Sequence, residues 1–156
     1  MTEVEIRRAT LDDVEALAAS SARLFAEEAC TRDHFRNLDW PPMHGAQWAA
    51  ECLGDSSTLV LLAQHGEEVI GHLLGVAGRP SPMWTALRAE LVSMYVAPAW
   101  RGQRVGSRLT EGFVTWARDR GVSRLVVTAY VANPGAIRFY QRHGFTPLST
   151  TLVADL

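Results

Sequence analysis

The stretch ELVSMYVAPAWRGQRVGSRL, residues 90–109, constrains the fold more than any other part of the chain. Its first seven residues are rich in the types that fill a buried strand, and Pro98 then ends the ladder. Gly102 and Gly106 follow in a short turn that runs into a helical pattern. There Val105, Leu109, Phe113 and Trp116 recur at helical spacing, an inward stripe that docks the helix on a sheet and fixes its N-terminus. The first N–H groups of a helix have no internal acceptors, and the macrodipole adds partial positive charge. Strand, glycine turn and docked helix thus make a place suited to an anion such as phosphate, with Arg101 and Arg104 beside it. Taken alone, the same residues equally suit a surface turn that needs glycine only for its shape.

Two nucleotide-binding patterns are excluded. A P-loop requires G-x-x-x-x-G-K-[ST], whereas Gly102 and Gly106 are one residue too close and Ser107 follows with no Lys. A dinucleotide fold requires G-x-G-x-x-G in its first βα unit, and that pattern is absent.

The remaining elements follow from periodicity and punctuation. VEIRRA at 4–9 alternates as a strand, and Thr10 with Asp13 forms a helix-starting [ST]-x-x-[DE] signal. Val14, Leu17, Ala18, Ser21, Leu24 and Phe25 predict one buried helical stripe through about residue 29. Residues 31–45, interrupted by a Pro pair, read as a loop before a short helix at 46–53. Two β-rich runs around His65–Glu68 predict a hairpin. Then come a strand at 88–96, a helix at 104–120 closed by Gly121, a strand at 124–131, a helix at 134–143 closed by Gly144, and one or two strands to the end. A meander followed by βαβα units gives a mixed α/β sheet covered by helices. With 156 residues, 47% of them hydrophobic, a single domain over 1–156 is expected.

Charge and composition narrow the partners. The formal net charge of −2 offers no basic excess for a phosphate backbone, so no nucleic acid is expected. No apolar run reaches bilayer length and MTEVEIRRAT lacks a signal-peptide core, which points to a soluble cytoplasmic protein without a membrane partner. Cys30 and Cys52 form no CxxC pair or Cys/His zinc spacing and read as reduced, packed thiols, so no metal is expected. Of the five scattered histidines, His72 sits in an apolar run and reads as a satisfied core residue.

A second motif, VANPGAIRFYQRHGF at 131–145, combines a strand end, an Asn-Pro turn and a short helix with Ala136 and Tyr140 one turn apart. Together with VAPAWRGQRVGS it resembles the GNAT N-acetyltransferase superfamily. That family's acyl-CoA turn reads [QR]-x-x-[GA]-x-[GA] after Val-x-Pro, and its later motif N-x-x-A-x-x-x-Y-x-x-x-G-F is matched at every named position. One residue departs: Arg104 stands where the turn usually has its first small residue. Its side chain must therefore point away from the bound anion or touch it, while its N–H can still donate.

The resemblance implies a single-domain GNAT fold of the α/β class. Its central sheet is mixed and mostly antiparallel with splayed middle strands, flanked by about four helices. It implies acetyl-CoA as acyl donor and no metal. The pyrophosphate would be held by N–H groups of Arg101, Gly102, Gln103, Arg104, Val105, Gly106 and Ser107. The pantetheine arm would follow the main chain of Met94, Tyr95 and Val96, with Asn133 and Ala136 on the other side. Tyr140, also at the cofactor, matches the family's general acid, and Glu90 its catalytic glutamate, a base that burial would strengthen.

The acceptor is encoded more weakly. Asp33, Asp39, Trp40 and Trp84, in the loops TRDHFRNLDWPP and RPSPMWTALR, are candidate substrate contacts and favour a cationic small-molecule amine. Acetylation of a protein N-terminus or lysine is the alternative among enzymes. A non-catalytic acyl-CoA-binding regulatory module is the alternative of another class, and Tyr140 with Glu90 argues against it. An enzyme acting on aminoacyl-tRNA would need a basic surface, whereas Arg118, Arg120, Arg124, Arg138 and Arg142 read as solvated helix faces. The apolar end LSTTLVADL permits a homodimer, since many such enzymes pair through their C-terminal strands.

Overall fold

Up to residue 142 the elements appear in the order the sequence implies. The computed structural model describes residues 3–156; Met1 and Thr2, the start of the N-terminal stretch read above, lie outside them. The strands are β1 (Val4–Arg8), β2 (Thr58–His65), β3 (Glu68–Ala77), β4 (Arg88–Val96) and β5 (Arg124–Val127). The helices are α1 (Val14–Thr31), α2 (Trp40–Gly54), α3 (Val105–Asp119) and α4 (Pro134–Arg142). The sheet runs β1-β2-β3-β4-β5 and is antiparallel except between β4 and β5, which are parallel.

The start of α1 is fixed as its sequence predicts. Thr10 and Asp13 close a capping box over a short 3-10 turn, and Arg7 of β1 grips the Asp13 carboxylate at 2.7 and 2.8 Å. These contacts hold the Asp13 carboxyl down at about 2, with the Arg7 hydrogen bond the largest cause.

The start of α2 corrects the sequence reading. The helix begins at Trp40, not at 46, with Pro41 and Pro42 in its first turn. First-turn N–H groups have no helical acceptor, so prolines there open a helix that they would break further in. Packing rewards the extension: Trp40 stacks on Phe25 of α1 at 5.3 Å and meets Trp48 edge-on at 5.9 Å.

The strand alternation divides the core in two. Leu17 of α1 and Ala49 of α2 pack on Val60, Leu62 and Leu74 on one face of the sheet. On the other face the stripe of α3, Val105, Leu109, Phe113 and Trp116, packs on Leu59, Leu61, Leu73 and Leu91. Phe113 is fully buried, and removing such a side chain from water stabilises by roughly 2–3 kcal/mol. Its ring lies directly over Gly75 of β3, where a Cβ would stand 2.6 Å from a ring carbon.

The C-terminal third also departs from expectation. β5 ends at Val127, not at 131, and residues 146–156 form no strand. β4 explains the short β5: its pairing with β3 shifts register between Leu74 and Gly75, leaving Val92 as an extra, bulged residue. A bulge bends its strand, and the ladder with β5 accordingly stops at Leu91 and Val127.

Gly75→Ala should force the Phe113 ring out of its seat. We expect a loss of about 1–3 kcal/mol, read as a lower urea midpoint at unchanged m-value.

Candidate active site

Past Leu91, β4 and β5 part, and residues 92–96 of β4 have no strand partner on that side among the described residues. This opening is the splay the sequence reading expects. Met94 and Val96 turn toward the α3 core, and Ser93 and Tyr95 toward α1 by the register with Leu74 and His72. The main-chain edge of β4 is what remains for a ligand.

The turn after β4 stands at the mouth of this opening. Arg104 is the N-cap of α3, but it lies in the left-handed region at φ 64° and its side chain makes no capping bond. It is the only non-glycine residue with positive φ among the described residues. No acid lies in the first turn of α3 to replace a cap. Among the described residues no acceptor engages the N–H groups of Gly102, Gln103, Arg104, Val105, Gly106 and Ser107. Such a run of free amides at the positive end of a helix dipole fits a diphosphate. Gly102, at φ 76°, supplies the backbone reversal.

Of the two arginines of the turn, Arg101 departs from expectation and Arg104 takes the outward of its two expected directions. The Arg101 N–H donates to Pro98 O at 3.3 Å, so the free run begins at Gly102 and not at Arg101. The Arg101 guanidinium turns back, bonding Val96 O at 2.8 Å and gripping Glu27 of α1 at 3.0 and 2.7 Å. It clamps α1 to the end of β4. Arg104 reaches Glu111 at 3.4 Å, with both side chains exposed, so its guanidinium lies along the outer surface of α3.

On the far side, Asn133 caps α4 by accepting from the Ala136 N–H at 3.2 Å. Tyr140 packs against the α3-side core and meets Phe139 and Phe145 edge-on. Its hydroxyl makes no hydrogen bond among the described residues, and burial pushes its pKa up to about 12. Glu90 is exposed, which corrects the expectation of burial; the register puts it on the α1-facing side of β4, just before the bulge.

The four acceptor candidates have separate local settings. Asp33 accepts from the Phe35 N–H, and Asp39 is exposed at the start of α2. Trp40 is engaged by Phe25 and Trp48, whereas Trp84 lies over the Arg88 guanidinium at the beginning of β4. Sequence reasoning missed Tyr130, just past β5. Burial raises its pKa, with the Glu28 and Asp33 charges adding and Arg36 opposing, which places it at an acidic corner beside the α1–α2 connection.

A buried relay was also missed. His72 of β3 is fully buried and bridges Ser20 of α1, at 2.6 Å from Nδ1, and Ser93 of β4, at 3.0 Å from Nε2. One ring nitrogen donates and the other accepts, so the ring is satisfied when neutral. Burial lowers its pKa to about 4. The apolar surroundings signalled a core histidine, but its partners are distant in sequence.

The acetyltransferase (GNAT) family pattern matches residues 18–145. The chain belongs to that family. It is 31% identical over 61 residues to N-alpha-acetyltransferase 30 of Schizosaccharomyces pombe, covering 39% of this chain and 41% of that protein. The chain spans less than half the length of the curated relatives it matches. Its fold is similar to that of a mutant BH1408 protein from Bacillus halodurans, with TM-score 0.83 and 18% identity over 97% of this chain and 99% of the other. It is also similar to an aminoglycoside N-acetyltransferase, AAC(6')-Iy, solved with CoA, with TM-score 0.79 and 14% identity over 100% and 96% of the two chains.

Two measurements test this geometry. Unfolded His72 takes up a proton near 6.5 and folded His72 only near 4, so its contribution is complete above 6.5 and is lost as pH falls to about 4, about 3 kcal/mol in all. Asp13 acts in a separate window below about 4. Urea midpoints between pH 7.5 and 4.5 should fall steeply in the parent and more gently in His72→Gln. Separately, Arg104→Gly should relieve the left-handed strain and stabilise by about 1 kcal/mol, while Arg104→Ala, which keeps the strain, should not.

Proposed function

We propose that the chain transfers an acetyl group from acetyl-CoA to a primary amine of a small, cationic acceptor. One observation carries the reading: six unengaged amides, Gly102 to Ser107, stand at the end of a strand whose edge opens past Leu91. A diphosphate on the amides and an amide-bearing arm along the free edge would satisfy both with one ligand. Acetyl-CoA has both parts. Its arm would follow the main chain of Met94, Tyr95 and Val96, with Asn133, Ala136 and Tyr140 across the cleft.

The chemistry sets three needs. An alkyl ammonium with a pKa of roughly 10 must lose a proton before it attacks the thioester. Glu90, on the acceptor side of the bulge, would take that proton directly or through water. A main-chain N–H of the free β4 edge would stabilise the tetrahedral oxyanion. Tyr140 would serve the departing sulfur. At about 12 its hydroxyl stays protonated, but full transfer to a thiolate of reference pKa about 8.5 is uphill. Its role is therefore hydrogen-bond donation as the C–S bond breaks, with solvent completing the protonation.

The acceptor reading rests on charge. Glu28 and Asp33 lie near Tyr130, and although Arg36 pairs with Glu28 at 2.7 Å, Asp33 and Glu90 make no ion pair among the described residues. An acidic corner favours a cationic amine. Relatives of this fold support the same class: one aminoglycoside acetyltransferase was solved with sisomicin, and AAC(6')-Iy with a bisubstrate analogue of CoA and acetylneamine. The match to N-alpha-acetyltransferase 30 favours a second reading, the N-terminal amine of a peptide.

Thiol release from acetyl-CoA, measured against small amines, polyamines, amino acids, aminoglycosides and N-terminal peptides, separates these readings. A responding cationic small amine supports the first and a responding peptide the second. Tyr140→Phe should lower kcat on the order of 100-fold while acetyl-CoA still raises its melting temperature. No stimulated release by a protein that acetyl-CoA stabilises would favour a binding module.

A further inference from the structure

The buried chain of hydrogen bonds from Ser20 through His72 to Ser93 has a direction. At 2.6 Å the contact of Ser20 with Nδ1 has the length of a bond donated by a hydroxyl, and at 3.0 Å the contact of Ser93 with Nε2 has that of a bond donated by a ring N–H. Burial agrees with the distances. Ser20 is 1% exposed, and its hydroxyl has no other hydrogen-bond partner among the described residues. Were Nδ1 the protonated nitrogen, it would donate to Ser20 and leave the Ser20 proton in the core without an acceptor, a costly arrangement. The Ser20 hydroxyl therefore donates to Nδ1. The imidazole, kept neutral by burial, carries its proton on Nε2 and donates it to the Ser93 oxygen.

Ser93 is the end of the chain that meets solvent. It is half-buried, its oxygen accepts the His72 bond, and its own proton has no acceptor among the described residues. The register shows where that proton points. Residues 90 and 93 would fall on opposite faces of a regular strand, but Glu90 stands opposite Val76 and Ser93 opposite Leu74. The bulge at Val92 thus makes Glu90 and Ser93 neighbours on the α1-facing side of β4. Neighbours on one face of a strand lie roughly 7 Å apart, a gap that a single water bridges. Glu90 is exposed and makes no ion pair among the described residues, so its carboxylate is free to accept. A carboxylate that only accepts and a hydroxyl with its proton to donate are complementary partners for that water.

We propose that Ser20 and His72 are positioning residues that turn the Ser93 hydroxyl proton toward the acceptor side of the cleft, where Ser93 holds the water through which Glu90 takes up the amine's proton. The proposal rests on the reading of Glu90 as the base and narrows it to the water-mediated route. The acceptor ammonium loses a proton to the water as the water passes one to the Glu90 carboxylate, and the amine lone pair so freed attacks the thioester carbon. Ser93 keeps its own proton throughout. The chain behind it moves none, because it ends at Ser20 inside the protein.

Long-range nitrogen–proton correlation spectra of His72 in the full chain read the tautomer with no acceptor present, so this arm is independent of acetyl transfer. A proton on Nε2 is the expected result, and a proton on Nδ1 overturns the proposal. Ser93→Ala should lower kcat with the responding amine about 10-fold, the worth of one hydrogen bond, and leave the acetyl-CoA Kd within about twofold. Ser93→Thr, which keeps a hydroxyl, should retain most of the parent's kcat. Ser20→Ala, which removes from the core the group that fixes the tautomer, should move kcat in the same direction as Ser93→Ala, with acetyl-CoA affinity again unchanged. Were Ser93 only an anchor for the strand, Ser93→Ala would weaken acetyl-CoA binding and lower the urea midpoint while kcat held. That outcome overturns the proposal, as does a Ser93→Ala protein with the parent's kcat and affinity. Failure of the underlying reading is a different result: the parent itself releases no thiol with any amine, and the proposed step falls with it.

Discussion

The seat of Phe113 on Gly75 sets the position of everything else in the site. With no methyl group between ring and strand, α3 approaches the sheet closely, and its stripe from Val105 to Trp116 is held along β2, β3 and β4. Once α3 is held, its first turn can lie in only one place relative to the end of β4. The six amides acquire their direction from a packing contact well removed from them, since a cradle made of main chain has no side chains with which to adjust itself.

A second set of contacts works from the other face. Arg101 ties the end of β4 to Glu27, and His72 ties Ser93, the residue after the bulge, to Ser20. Both ties cross from β4 to α1. They bracket the stretch of β4 that has lost its β5 partner, so a strand with one free edge is held by its side chains where its ladder stops. Buried polar groups cost stability unless satisfied, and here the satisfied relay is spent at the strand's weakest point.

Much of this was legible in the sequence because it rests on local rules. Thr10 and Asp13, the inward stripes of α1 and α3, and the glycines at 121 and 144 each declare a boundary within a few residues, and the structure places those boundaries there. The splay was legible only through family resemblance, since nothing in ELVSMYV states that Val92 is an extra residue; that depends on register with β3. The start of α2 was misread because a Pro pair marks both the end of one helix and the opening of another, and the stacking of Trp40 on Phe25 decides between them. The charge of Arg101 suits the anion turn, yet Glu27, distant in sequence, captures its guanidinium. Asp33, Tyr130 and Glu28 likewise meet only through the fold.

The left-handed conformation of Arg104 separates two properties that most binding turns keep together. Backbone geometry there is imposed by the turn and by the docked helix, so the direction of its N–H does not depend on which side chain is attached, while the side chain itself lies outward toward Glu111. Charge at the rim of the site can therefore change from one sequence to another without moving the cradle beneath it. On the proposed reading, a substitution at such a position would retune how quickly acetyl-CoA arrives while leaving untouched how it is held.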